Sequence, residues 1–132
     1  MDYRARVLCI DDEPGVVELV SLILKTQNIL VEGAESGSEA LTAMRQDPPD
    51  AVLLDIMMPE MDGWEVYKQM RADEVLKNIP VIILTARNSS FEEIIARERA
   101  GVNDYVTKPF VPKDLRNSLA RILGPAPSQN NT

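Results

Sequence analysis

The chain has 132 residues, with 14 basic and 21 acidic side chains and a net charge of −7. Its length fits one domain with its own hydrophobic core. The acidic balance argues against nucleic-acid binding by this chain, because such binding depends on clustered Lys and Arg. A single cysteine excludes an internal disulfide, and no apolar run approaches the ~18 residues of a membrane span. We therefore expect a soluble, cytoplasmic protein without a membrane partner.

Short apolar runs alternate with amphipathic segments along the chain. Buried strands are predicted at residues 7–10, 29–31, 51–54, 81–84 and 104–107. Helices are predicted with Pro14 in the first turn of the first one, after Ser36 or Ser38, and around Trp64, Phe91 and Leu115. Five strands alternating with five helices predict an α/β fold, in which a parallel sheet is covered on both faces. Residues 1–123 would form the domain, and the Pro-, Ser- and Asn-rich residues 124–132 a flexible tail or linker.

Two of the predicted helices differ in their apolar content. The first has an apolar face at helical spacing, formed by Val16, Leu19, Val20, Ile23 and Leu24. The fourth has a short apolar stripe among many charges, formed by Phe91, Ile94 and Ile95. Because few apolar contacts mean low local stability, we expect the fourth helix to be the element that moves most easily.

Polar side chains follow the predicted strands where the strands end. Asp11 and Asp12 end the first strand, Asp55 the third, Thr85 the fourth and Lys108 the fifth. In a parallel sheet, ligands bind beyond the carboxyl ends of the strands. An aspartate alone at such a position is as readily a helix N-cap, and Asp12 taken alone leaves both interpretations open. Three carboxylates together indicate a site.

Three neighbouring carboxylates also suggest the chemistry of that site. Two carboxylates ~4 Å apart repel by about 4 kcal/mol at an effective dielectric constant of ~20, so a pKa rises or a cation binds. Mg²⁺ binds one or two carboxylates and leaves room for a phosphate. An ionised carboxylate such as Asp55 can attack phosphorus without a general base. Lys108 can neutralise the phosphoryl oxygens.

Four motifs in this order resemble the receiver domains of two-component response regulators, over residues ~5 to 123. The motifs are Val7 to Pro14, Asp55 to Gly63, Leu84 to Ala86, and Asp104 to Phe110. The resemblance implies a flavodoxin-like (βα)5 fold, with a five-stranded parallel sheet of order 2-1-3-4-5. It also implies a cis peptide bond between Lys108 and Pro109.

The resemblance further implies a role for each site residue. Asp55 would be the phosphoacceptor, and Thr85 and Lys108 would contact the phosphoryl group. Mg²⁺ would be held by Asp12, Asp55 and the backbone carbonyl of Met57, with Asp11 acting through water. Thr85 and Tyr105 would form a switch pair.

The partners implied by the resemblance are a histidine kinase or phosphotransfer protein as donor, and an output domain or protein as target. Such a domain catalyses only its own phosphorylation and dephosphorylation, and so is not an enzyme acting on other molecules. Its conformation would change at one face of the domain, called the output face below. This face would consist of the predicted helix around Phe91, the strand at residues 104–107 and the last helix, around Leu115. The same face could join two copies in a homodimer.

Three other classes of protein compete with this interpretation. A phosphatase of the haloacid dehalogenase type also uses an aspartate nucleophile after a strand, but it needs a second aspartate where this chain has Met57. A nucleotide-binding module would need a glycine-rich phosphate loop, and neither standard pattern occurs. A receiver-like module that binds partners without phosphorylation is disfavoured by the intact set of Asp12, Asp55, Thr85 and Lys108.

Overall fold

The structure, a computed structural model, describes residues 3–58, 63–86 and 101–124, with the backbone alone at Thr85 and Ala86. Its strands are β1 (Ala5–Ile10), β2 (Ile29–Ala34), β3 (Ala51–Asp55), β4 (Val81–Ala86) and β5 (Asp104–Lys108). Its helices are α1 (Pro14–Lys25), α2 (Gly37–Gln46), α3 (Gly63–Arg71) and α4 (Pro112–Leu123). The strands form one parallel sheet of order β2-β1-β3-β4-β5, so the predicted fold class and strand order are confirmed. The predicted helix around Phe91 lies outside the described residues.

The sheet divides the core into two layers, because alternate residues of each strand point to opposite faces. On one face, Leu8 and Ile10 of β1 belong to a buried cluster that includes Met44 of α2 and Met70 of α3. On the other face, Val7, Cys9 and Leu53 pack with residues of α1 and α4. The central strand β3 is buried along its whole length, as a strand covered on both faces must be.

The helix starts follow the local sequence. Pro14 occupies the first turn of α1, where its missing N–H has no intrahelical partner to lose. Ser36 rather than Ser38 caps α2, and its hydroxyl accepts a hydrogen bond from the Glu39 amide at 3.2 Å. In the described part of the chain, no helix combines the length and apolarity needed to cross a membrane.

The predicted apolar face of α1 is wrong at one position. Val20, Ile23 and Leu24 are buried, whereas Leu19 is 44% exposed. Leu19 lies about 100° around the helix from Val20, at the margin of the face that packs on the sheet. Spacing alone does not distinguish the centre of an apolar face from its margin.

Arg4 joins both ends of the described chain at the amino-terminal edge of the sheet. Its Nε donates to the Gln27 carbonyl at 2.9 Å, just before β2, and its Nη1 donates to the Gly124 carbonyl at 3.3 Å, just after α4. The point where the chain leaves α4 is therefore fixed to the edge opposite the strand ends that carry the polar side chains.

Two leucines on α1 test this packing. Leu24 is fully buried and Leu22 is 68% exposed. Leu24→Ala should lower the free energy of unfolding by about 2–5 kcal/mol, because it leaves a cavity. Leu22→Ala should change it by less than about 0.5 kcal/mol, as is usual for exposed sites. Urea unfolding of both variants measures the difference, and equal losses would contradict the described orientation of α1.

Candidate functional site

The strand register brings the polar strand ends together at the carboxyl edge of the sheet. Ile10 of β1 lies opposite Leu54 of β3, so Asp11 comes level with Asp55. Asp55 in turn lies opposite Leu84 of β4, so Thr85 is the next residue along. The Thr85 side chain lies outside the described residues, and only its backbone position at this edge is established.

Three carboxylates converge at this edge. Asp11, Asp12 and Asp55 each offer an oxygen atom, and these oxygens all lie within 4.8 Å of one another. Asp11 is fully buried, and its Oδ1 accepts a hydrogen bond from the Glu13 amide at 2.9 Å. Asp12, one residue further along, has more contact with solvent. The turn after β1 thus fixes Asp11 and leaves Asp12 at the mouth of the site.

Asp55 is 5% exposed and lies at the end of the central strand. Burial raises the pKa of Asp55, against the opposing effects of the Met57 amide and the Lys108 ammonium. The Met57 amide donates to Oδ1 at 2.9 Å, while the Met57 side chain is 66% exposed. One carboxylate oxygen is therefore held by the backbone, and the other faces Lys108.

Among the described residues, Lys108 is the cation of the site. Its Nζ lies 2.7 Å from Asp11 Oδ2, 3.4 Å from Asp55 Oδ2 and 3.6 Å from Glu13 Oε1. Burial alone would lower the pKa of Lys108, but the hydrogen bond to Asp11 and the charges of Asp55, Asp11 and Glu13 raise it overall. Lys108 therefore remains an ammonium at neutral pH. The peptide bond between Lys108 and Pro109 is cis, as predicted.

Gly63 lets the first turn of α3 approach the end of β3. A Cβ atom at Gly63 would lie 2.5 Å from the Asp55 carbonyl oxygen and 2.5 Å from the Ile56 Cα. The Gly63 amide donates to the Ile56 carbonyl at 3.3 Å. A side chain at this position would have to displace the backbone that carries Asp55.

Tyr105 and Asp104 connect β5 to opposite sides of the sheet. Tyr105 is partly buried and packs against the core cluster on the α2 and α3 face. Asp104 accepts a hydrogen bond from Ser118 Oγ at 2.7 Å and forms an ion pair with Arg121, both on α4. β5 and α4 are therefore joined by polar contacts as well as by the core.

The structure brings together most of the predicted site residues. Asp11, Asp12, Asp55 and Lys108 form one cluster, and the Met57 backbone adjoins it. Glu13 is a residue of the site that the sequence analysis did not single out. Its position directly after two strand-end aspartates was the one signal in the sequence, and that position does not show that the Glu13 side chain reaches Lys108. Cys9 is buried nearby and burial raises its pKa to about 12, so it remains a neutral thiol in the core.

The donor set fits a hard divalent cation. Four carboxylates, those of Asp11, Asp12, Glu13 and Asp55, lie near the single ammonium of Lys108 within the described residues. Carboxylate oxygens are the ligands that Mg²⁺ prefers, and Mg²⁺ commonly uses only one or two of them. The excess negative charge and the spacing of the oxygens are both suited to such an ion.

The chain belongs to the response regulator receiver domain family, whose model matches residues 7–120. It is 39% identical over 112 residues to the DNA-binding response regulator MtrA of Mycolicibacterium smegmatis, covering 85% of this chain and 47% of that protein. It is 36% identical over 118 residues to the alkaline phosphatase synthesis transcriptional regulatory protein PhoP of Bacillus subtilis, covering 89% of this chain and 48% of that protein. The chain thus spans about half the length of these relatives.

Solved structures show the same fold. A putative response regulator from Chloroflexus aurantiacus superposes with a TM-score of 0.84 at 35% identity, covering 90% of this chain and 97% of that chain. The chemotaxis response regulator CheY4 of Vibrio cholerae superposes with a TM-score of 0.80 at 31% identity, covering 89% of this chain and 98% of that chain. The resemblance seen in the sequence motifs is therefore confirmed at the level of family and fold.

Two glycines provide a matched test of the approach between α3 and β3. Gly63→Ala should destabilise the fold by at least about 1 kcal/mol, because its methyl group meets backbone atoms that cannot rotate away. Gly15→Ala places the same methyl group on α1, where it meets nothing within 4 Å beyond its chain neighbours and the backbone of the helix itself, and should stabilise by about 0.5–1 kcal/mol. Thermal unfolding of both variants measures this difference. Equal stabilisation would contradict the close approach of Gly63 to Asp55.

Proposed function

We propose that this chain is a phosphorylation-dependent signalling switch, in which Asp55 accepts a phosphoryl group from a histidine kinase or phosphotransfer protein. The observation that supports this proposal most directly is the position of Asp55. It is a buried carboxylate at the carboxyl edge of the sheet, with two further aspartates and one ammonium close by. Membership of the receiver domain family points to the same activity.

In the proposed reaction, an Asp55 carboxylate oxygen forms a bond to phosphorus as the bond between phosphorus and the donor breaks. The donor group leaves with the electron pair of that bond. Asp55 needs no base when it attacks as the carboxylate. Burial raises the pKa of Asp55, and the Lys108 ammonium opposes that rise. The Met57 amide orients one oxygen, and the Lys108 ammonium lies where it can neutralise charge on the phosphoryl oxygens.

We also propose that Asp11, Asp12, Asp55 and the Met57 carbonyl hold Mg²⁺, with Asp11 acting through water. When bound, Mg²⁺ supplies positive charge that offsets both the carboxylates and the transferring phosphoryl group. The domain would catalyse only its own phosphorylation and dephosphorylation, and would act on no other substrate.

The proposed output involves Thr85 and Tyr105. A phosphoryl group on Asp55 is bulkier and carries more anionic oxygens than a carboxylate. Thr85 lies at the same edge of the sheet, on the strand between Asp55 and Tyr105. If Thr85 moves toward the phosphoryl group, it leaves space that the neighbouring Tyr105 can enter. We place the change, and any homodimer contact, at the output face.

The longer relatives suggest how the signal leaves the domain. MtrA is named as a DNA-binding response regulator, and this chain matches 47% of its length. We propose that residues 1–123 are the receiver domain, and that residues 124–132 act as a tail or linker to an output domain or protein. Any DNA binding would belong to that output part, because this chain is acidic overall.

Acetyl phosphate with Mg²⁺ should label Asp55 and no other residue. Asp55→Asn should abolish the label, because an amide is not a nucleophile toward phosphorus under these conditions. The acyl phosphate can be reduced with borohydride and located by mass spectrometry. Label remaining in Asp55→Asn at the wild-type level would refute the assignment.

The metal ligands are tested in the same experiment. Asp12→Ala should raise the Mg²⁺ concentration needed for labelling, because it removes one of the converging carboxylates. Trp64, which directly follows Gly63 beside Asp55, supplies a fluorescence signal for a separate Mg²⁺ titration. Unchanged Mg²⁺ affinity in Asp12→Ala would remove Asp12 from the proposed ligand set.

Beryllofluoride, a mimic of the phosphoryl group, should shift NMR resonances of Tyr105 and of residues 90–100 as well as those around Asp55. A partial shift is expected without a partner, since moving a population from 1:99 to 99:1 needs about 5.5 kcal/mol. Shifts restricted to the loops around Asp55 would reject the proposed coupling to the output face.

A further inference from the structure

Glu13 contacts Lys108 from the solvent side of the site. Its Oε1 lies 3.6 Å from Lys108 Nζ, and its side chain is 67% exposed. In the described part of the chain, two other carboxylates lie close to this ammonium, those of Asp11 and Asp55, and both are buried. Glu13 is therefore the most accessible of the three anions that share the charge of Lys108.

The Glu13 side chain has no role in capping α1. Glu13 is the N-cap residue of that helix, with φ −103° and ψ 111°, but its side chain makes no capping hydrogen bond. Its backbone amide donates to Asp11 Oδ1, and this contact does not depend on the side chain. Replacing the carboxylate should therefore leave both α1 and Asp11 in place.

The contact between Glu13 and Lys108 bears on the phosphoryl transfer. Among the described residues, the positive charge of Lys108 is shared by three carboxylates within 3.6 Å. A phosphoryl oxygen arriving at Asp55 would be attracted to the same charge, and the Glu13 carboxylate would compete with it for that attraction. Glu13 is the partner that solvent already screens most, and its charge also opposes the approach of an anionic donor.

We propose that Glu13 is a positioning residue that competes with the phosphoryl group for Lys108 and so slows the phosphorylation of Asp55. This inference rests on the proposed function. In this role the Glu13 carboxylate lowers the rate at which Asp55 is phosphorylated. A side chain that only capped α1, or that only carried charge into solvent, would not change that rate.

The test compares two exposed glutamates of the same region. Glu13→Gln should increase the rate of labelling by acetyl phosphate at saturating Mg²⁺ by roughly two- to fivefold, the range expected for an exposed ion pair. Glu18→Gln removes the same charge from α1, on the side that faces β2, and should label at the wild-type rate. The increase should shrink at high ionic strength, because the Glu13 carboxylate is accessible to salt.

A second measurement does not depend on turnover. Beryllofluoride, titrated at saturating Mg²⁺ and followed by Trp64 fluorescence, should bind Glu13→Gln more tightly than wild type by a similar factor. Glu13→Asp keeps the charge and should remain closer to wild type than Glu13→Gln does. Urea unfolding of each variant confirms that the fold is retained.

The outcomes separate this inference from the function on which it rests. If wild type labels at Asp55 while Glu13→Gln matches Glu18→Gln in both rate and beryllofluoride affinity, the role of Glu13 is overturned and the proposed function stands. Slower labelling of Glu13→Gln would also overturn it. A wild-type protein that takes no label at Asp55 would overturn both.

Discussion

Buried carboxylates need a compensating charge, and in this protein Asp11 and Asp55 share the ammonium of Lys108. The cost of burying a charge without a partner is several kcal/mol, so the position of this lysine constrains everything around it. Lys108 is the last residue of β5, whereas the two aspartates lie at the ends of β1 and β3. The contact therefore requires the whole sheet between them to be in register.

That register is supplied by residues with no part in the chemistry. The strands between the site residues are almost entirely apolar, and they are buried between two layers of helices. A slip of one residue in any strand would turn its core side chains toward the wrong face and also move a site residue by one position. The hydrophobic core thus defines the geometry of the charged site, although no core side chain has to contact a ligand.

Much of this arrangement could be predicted from the sequence, because strand ends in a parallel sheet share an edge. Asp11, Asp12, Asp55 and Lys108 were recognisable at the ends of apolar runs. The exposure of Leu19 was not, since helical spacing does not distinguish the centre of an apolar face from its margin. Glu13 was missed for a related reason. Its contact with Lys108 depends on the direction that the chain takes after β1, which the order of residues does not specify.

The Arg4 contacts place the point where the chain leaves the last helix far from the carboxylate site. Arg4 holds the Gly124 carbonyl at the amino edge of the sheet, whereas Asp55 lies at the carboxyl edge. The six residues of β1 separate the two edges by about 20 Å at ~3.3 Å per residue. A segment that continues beyond Gly124 therefore starts on the far side of the domain from Asp55. If Asp55 is phosphorylated as proposed, the start of such a segment lies too far away to touch the phosphoryl group, so it can respond only through the packing of strands and helices.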